Sequence, residues 1–174
     1  MKKAISLIML LAMTLCASAL ENGFYIIRSA NNRNYVIDNN GCNLNDGNNI
    51  QLWELNWSGA QKWHMTNLPD GTVTFANMSV LPNPLDQSTF HMLDLNGLGT
   101  FNGNNIHLWT YNGTKAQRWY LVKNSDGTYT IQSSVNRNFV VDNNGNNVYN
   151  GNNIQIWEYN GSNAQRWIFE KINL

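Results

Sequence analysis

Apolar and polar positions alternate with a two-residue period in short runs along the chain, and each run ends in a cluster of Gly, Asn and Asp. Such alternation predicts half-buried β-strands, and the clusters predict the turns between them. Early in the chain the pattern predicts strands over residues 24–29, 35–38, 50–55 and 61–65. Near the end it predicts them over 129–133, 139–142, 154–159 and 165–169. No stretch carries the period of a long amphipathic helix.

The pattern is triplicated. Residues 151–167 read GNNIQIWEYNGSNAQRW, 47–63 read GNNIQLWELNWSGAQKW, and 103–119 read GNNIHLWTYNGTKAQRW. Trp63, Trp119 and Trp167 stand 56 and 48 residues apart, as do Asp38, Asp94 and Asp142, whereas Gly23, Gly71 and Gly127 stand 48 and 56 apart. One eight-residue insertion between Gly71 and Asp94 accounts for every spacing, and Pro82 and Pro84 mark it as a loop. The unit is therefore 48 residues, present three times, with boundaries near 21–66, 67–122 and 123–174. A four-strand unit of that length cannot bury a core alone. Three of them closing on one another predict an all-β chain with the β-trefoil fold: three pseudo-symmetric four-strand repeats in one domain, residues 20–174.

Alternation also sorts the chemistry. In the third strand of a unit, Ile50 and Leu52 face one way, and Gln51 and Trp53 the other. The aliphatic pair belongs in the core, which leaves an amide and an indole on the opposite face. Ile154, Gln155, Ile156 and Trp157 repeat the arrangement. A polar link folds the preceding strand back alongside, so Asp38, Asp94 and Asp142 are each expected beside one such pair. A pyranose has an apolar C–H face that an aromatic plane accepts and hydroxyls that a carboxylate accepts as charge-assisted hydrogen bonds. A glutamine can orient the carboxylate or bind a hydroxyl itself.

The Gln-x-Trp triplets Gln61-Lys62-Trp63, Gln117-Arg118-Trp119 and Gln165-Arg166-Trp167 resemble those of the ricin B-chain type of β-trefoil lectin, and the resemblance covers residues 20–174. It implies that these tryptophans are core residues. It implies sugar contacts from an Asp, a Gln thirteen residues later and an aromatic two residues further. Asp38, Gln51 and Trp53 match that set, as do Asp142, Gln155 and Trp157; Asp94, His107 and Trp109 match with His in place of Gln. The family usually carries Asn before the Gln of Gln-x-Trp, where this chain has Ala60, Ala116 and Ala164. The missing polar contact weakens the usual galactose geometry at all three sites, and His107 weakens the middle one further, which ranks the first and third sites above the second. The implied activity is multivalent, non-enzymatic binding of galactose, N-acetylgalactosamine or related glycans on glycoproteins, glycolipids or polysaccharides.

Other features narrow the picture. Lys2 and Lys3, an apolar run over 4–15 and Ala17-Ser18-Ala19 predict a secretory signal peptide over 1–19 and an extracellular protein. The run is short for a span across about 30 Å of hydrocarbon. Without Lys2 and Lys3, 9 of the 11 basic residues remain against 11 acidic ones, a balance of −2 that offers no electrostatic footprint for nucleic acid. Cys42 is the single cysteine after the leader, so no internal disulfide is expected. No nucleophile–base or metal-ligand spacing points to an enzyme, a metal or another cofactor. Glu54 and Glu158 offer partners for Asp38 and Asp142 of the kind glycosidases use, but alternation turns them toward the Ile/Leu face or its margin, and Thr110 stands there in the middle copy. Asn56, Asn112 and Asn160 open glycosylation sequons at equivalent places, a position that suits a structural turn. The competing reading is a trefoil protease inhibitor acting through the loop at 79–89.

Overall fold

The computed structural model describes residues 20–81, 86 and 89–173. The predicted leader at 1–19 and most of the insertion loop lie outside that range. The described residues form twelve strands: β1 (Gly23–Ser29), β2 (Tyr35–Asn39), β3 (Ile50–Glu54), β4 (Trp63–Asn67), β5 (Val73–Asn77), β6 (His91–Leu95), β7 (Ile106–Thr110), β8 (Trp119–Lys123), β9 (Tyr129–Ser133), β10 (Phe139–Asn143), β11 (Asn152–Glu158) and β12 (Trp167–Ile172).

Six of them close a ring. β1 pairs with β4, β4 with β5, β5 with β8, β8 with β9, β9 with β12, and β12 returns to β1, every pair antiparallel. Closure leaves no open edge in this barrel. The other six form the hairpins β2–β3, β6–β7 and β10–β11, one per repeat, which cap one end. This is the β-trefoil expected from the triplicated pattern.

The core lies between barrel and cap. Ile37, Leu93 and Val141 from the hairpins meet Ile50, Leu52, Ile106, Leu108, Ile154 and Ile156, all buried. Trp63, Trp119 and Trp167 are completely sealed from solvent. Their indole Nε1 atoms donate to the carbonyls of Ile37, Leu93 and Val141 at 3.1, 3.2 and 3.1 Å. Each core indole thus holds the backbone one residue ahead of Asp38, Asp94 or Asp142.

The structure moves one set of strand boundaries. The fourth strand of each unit was expected to start at Gln61 or Gln165, but Gln61, Gln117 and Gln165 end the 3-10 turns Gly59–Gln61, Lys115–Gln117 and Asn163–Gln165, and the strands begin two residues later. Each glutamine brackets its turn. Gln165 Oε1 accepts the amides of Asn160 (2.8 Å) and Gly161 (3.3 Å), while its Nε2 donates to the Glu158 carbonyl (3.0 Å).

The Gly-Asn-Asn triplets knit the three hairpins together. Gly47, Gly103 and Gly151 sit at φ near +85°, +87° and +89°, a turn that glycine adopts without strain. The first asparagines, Asn48, Asn104 and Asn152, donate back into their own hairpin loops. The second asparagines meet on the pseudo-three-fold axis. Asn49 donates to Asn153 (3.0 Å), Asn153 to Asn105 (3.0 Å) and Asn105 to Asn49 (2.9 Å), a closed circle of amides. Each hairpin tip also grips its neighbour: Asn150 Oδ1 accepts the Glu54 amide and Asn102 Oδ1 the Glu158 amide, both at 2.7 Å, and Asp46 Oδ1 accepts the Thr110 amide at 2.5 Å.

Candidate functional site

Each hairpin forms one wall of a surface cavity. Antiparallel register places Asp38 directly opposite Gln51, Asp94 opposite His107, and Asp142 opposite Gln155. The thirteen-residue spacing is therefore a cross-strand pair, in which side chains on one face touch. Trp53, Trp109 and Trp157 lie two residues further along the same face. Trp109 and Trp157 are each 38% exposed and Trp53 is half-buried.

The first cavity, about 280 Å³, is lined by Asp38, Asn40, Gln51, Trp53, Asn56 and Ser58, with Gly41, Cys42 and Ala60 completing it. The third, about 290 Å³, has Asp142, Asn144, Gln155, Trp157, Asn160 and Ser162 at the same places, with Asn146 and Ala164. The middle one, about 390 Å³, carries Asp94, Asn96, His107, Trp109, Asn112 and Thr114, with Leu98 and Ala116. All nine residues singled out in the sequence line the three cavities, three to a cavity. The three alanines line them too, in the position where the resemblance implies Asn.

Asp38 Oδ1 accepts from Gln51 Nε2 at 3.0 Å, and Asp142 Oδ1 from Gln155 Nε2 at 3.2 Å. Asp142 Oδ2 also accepts from Gln165 at 3.1 Å, and Gln61, at the equivalent place in the first repeat, pulls the Asp38 carboxyl downward. Neutral amides therefore hold each outer carboxylate, and among the described residues no cation pairs with it. Burial pushes the Asp38 and Asp142 carboxyls above the usual carboxylate range, against the downward pull of their glutamine partners. In the middle cavity His107 Nε2 takes the place of the glutamine amide, 3.0 Å from Asp94 Oδ1, and the imidazole lies 5.2 Å from the Trp109 ring at 31°. None of these aspartates is consumed by capping its own loop.

Among the lining residues that the sequence missed are six asparagines. Asn40, Asn96 and Asn144 follow the aspartates by two, and Asn56, Asn112 and Asn160 open the sequons. The last three accept the amide of the residue two further on, at Ser58 (2.9 Å), Thr114 (3.0 Å) and Ser162 (2.9 Å), so the expected turn role holds, and they stay exposed. The signal was their recurrence at one place in all three repeats. Asn77, which opens a further sequon with Met78 and Ser79, is buried, with Nδ2 on the Ala60 carbonyl. Glu54 and Glu158 are exposed at the margin where their strands end, and neither lines one of these three cavities. Among the described residues no group of three His, Cys, Asp or Glu is placed to hold a metal, and no helix is long and apolar enough to cross a membrane.

Backbone strain recurs at one exposed lining residue of each cavity. Cys42, Leu98 and Asn146 occupy the left-handed region at φ near +55°, +58° and +59°. Asn tolerates this conformation, but Leu and Cys do so at a cost of order 1 kcal/mol or more. Strain held at the same point of three cavities is typical of a ligand clamp.

The model of the ricin-type beta-trefoil lectin domain-like family matches residues 14–83 and 86–157. The chain belongs to that family. Its fold is shared by a designed three-fold symmetric protein, ThreeFoil, at TM-score 0.78 and 21% identity over 87% of this chain and 100% of that one. The Rhizoctonia solani agglutinin superposes at TM-score 0.76 and 20% identity, covering 89% and 99% of the two chains. The Macrolepiota procera ricin B-like lectin, solved in complex with lactose, does so at 0.71 and 16%, again covering 89% and 99%. Comparison with curated proteins gave no match. Membership of this lectin family supports carbohydrate binding.

Proposed function

We propose that this trefoil is a secreted, non-enzymatic lectin that binds galactose- or N-acetylgalactosamine-type ends of glycans through up to three shallow sites. One observation carries the reading: the fold presents the same trio, a buried carboxylate with an amide or imidazole beside it and an indole at least partly open to solvent, three times at equivalent positions. A carboxylate fixed by neutral donors keeps lone pairs for two adjacent hydroxyls, and the indole takes the C–H face. Each site would bind weakly, near millimolar, and gain on clustered glycans through multivalency. The lactose complex of the Macrolepiota procera lectin and the leader pattern at 1–19 support the sugar class and secretion.

The rim asparagines Asn56, Asn112 and Asn160 supply polar groups near the places where Ala60, Ala116 and Ala164 have none. The competing inhibitor reading rests on a loop that lies largely outside the described residues. The test is isothermal titration of the mature protein with galactose, N-acetylgalactosamine and glucose, beside the variant Trp53→Ala/Trp157→Ala. Binding of the first two sugars that drops at least tenfold in the variant is the expected result. Absence of sugar binding in the wild-type protein, or full binding in the variant, overturns the assignment. Asp→Ala variants are a poorer test, since they would leave Gln51, Gln61, Gln155 and Gln165 donors unpaired and destabilise by about 1–3 kcal/mol.

A further inference from the structure

The three sites differ at one rim position. In the middle and third repeats the turn after the indole strand carries Gly113 and Gly161, at φ near +70° and +71°. In the first repeat Trp57 stands there at φ +63°, 51% exposed. A bulky residue in the left-handed region is a strained outlier that a fold keeps only with a compensating gain. The turn is otherwise the same: the Trp57 amide donates to Gln61 Oε1 at 3.2 Å as the Gly161 amide does to Gln165 Oε1 at 3.3 Å. The neighbourhood has changed to match. Tyr111 and Tyr159 place their hydroxyls 3.5 and 3.6 Å from where a Cβ would stand on Gly113 and Gly161, and Leu55 occupies the equivalent place in the first repeat.

Trp57 sits between Asn56 and Ser58, both of which line the first cavity. The Ser58 hydroxyl makes no hydrogen bond among the described residues. The turn is stiffly backed, because a Cβ on the next residue, Gly59, would collide with the backbone of Met78 and Ser79. The backbone of this turn thus holds an exposed indole next in sequence to two residues of a polar cavity, where an aromatic face can accept a sugar ring.

Resting on the lectin reading above, we propose that the first site is an extended one: the terminal pyranose occupies the Asp38 cavity and the next sugar ring of the glycan stacks on Trp57. The first site then prefers oligosaccharides over monosaccharides, and the third does not.

The experiment isolates the first site with the variant Trp109→Ala/Trp157→Ala and titrates it with galactose and with lactose, with and without Trp57→Gly. The expected lactose-to-galactose affinity ratio is about five- to tenfold, the size of one aromatic stacking contact, falling to near one on Trp57→Gly. Trp57→Gly should also raise the thermal midpoint by removing the left-handed strain, which separates lost stacking from lost folding. Trp57→Asn, which tolerates the same backbone, should give the same collapse of the ratio. A ratio that survives both substitutions, or that is near one from the start, overturns the extension alone. Binding of neither sugar overturns the galactose reading of the cavity together with its extension.

Discussion

Each repeat holds two tryptophans ten residues apart, and they live in opposite worlds. Trp63, Trp119 and Trp167 are sealed and hydrogen-bonded to the strand that carries the aspartate. Trp53, Trp109 and Trp157 stand at the surface against a cavity. The same side chain in one set stores stability and in the other leaves apolar area unburied. Three large rings left partly wet at equivalent positions forgo burial that would stabilise the fold. The contrast teaches that the inner set builds the platform and the outer set is what the platform presents.

That contrast can be broken from either side. Trp119→Ala should cost about 3–5 kcal/mol of stability in chemical denaturation, through a large cavity and the loss of its bond to the Leu93 carbonyl. Trp157→Ala should cost under about 1 kcal/mol, since its indole is already partly solvated, while weakening sugar binding at the third site about tenfold in titration. Equal stability losses for the two would erase the distinction. Between them falls Gln165→Ala, which strips partners from Asn160, Gly161, Glu158 and Asp142 and should lower stability by about 2 kcal/mol and affinity at the third site together.

Acidification sharpens the comparison. Burial raises the Asp38 and Asp142 carboxyls, so they lose their charge at a higher pH than an ordinary aspartate near 4. A protonated carboxyl is a poorer hydroxyl acceptor, so galactose affinity should fall through a midpoint above that value as pH drops. The stability term runs the other way: an acid with a raised folded-state value favours the fold below its unfolded value and loses that contribution as pH rises through the folded one. Calorimetry across the acid range should therefore show affinity falling where these two groups themselves add to stability. The smallest expected effect is His107→Gln, which restores the outer-site amide and should improve middle-site affinity a few-fold in titration.

The repeat, the fold and the Asp–Gln–Trp trios were legible because each is a spacing, and spacing survives without coordinates. Alternation alone separated Gln51 and Trp53 from Ile50 and Leu52. The fourth strand was drawn two residues too early because alternation cannot reveal that Gln61 spends its side chain on the amides of Asn56 and Trp57. The lining asparagines were hidden by abundance: in a chain this rich in Asn, Asn40 and Asn56 look like turn chemistry, and they are, while also facing a cavity. Trp57 read as part of a sequon, since only the backbone angle shows that it stands where glycine belongs.

The circle of Asn49, Asn153 and Asn105 runs in one rotational sense, each amide giving once and receiving once. With the tip of every hairpin also clamping the one beside it, no repeat owns the scaffold of its own cavity. A peptide cut to a single unit would carry the right side chains on an unsupported loop. Three such peptides would have to find one another before any of them could act, so the smallest working object here is the closed trio, whether on one chain or on three.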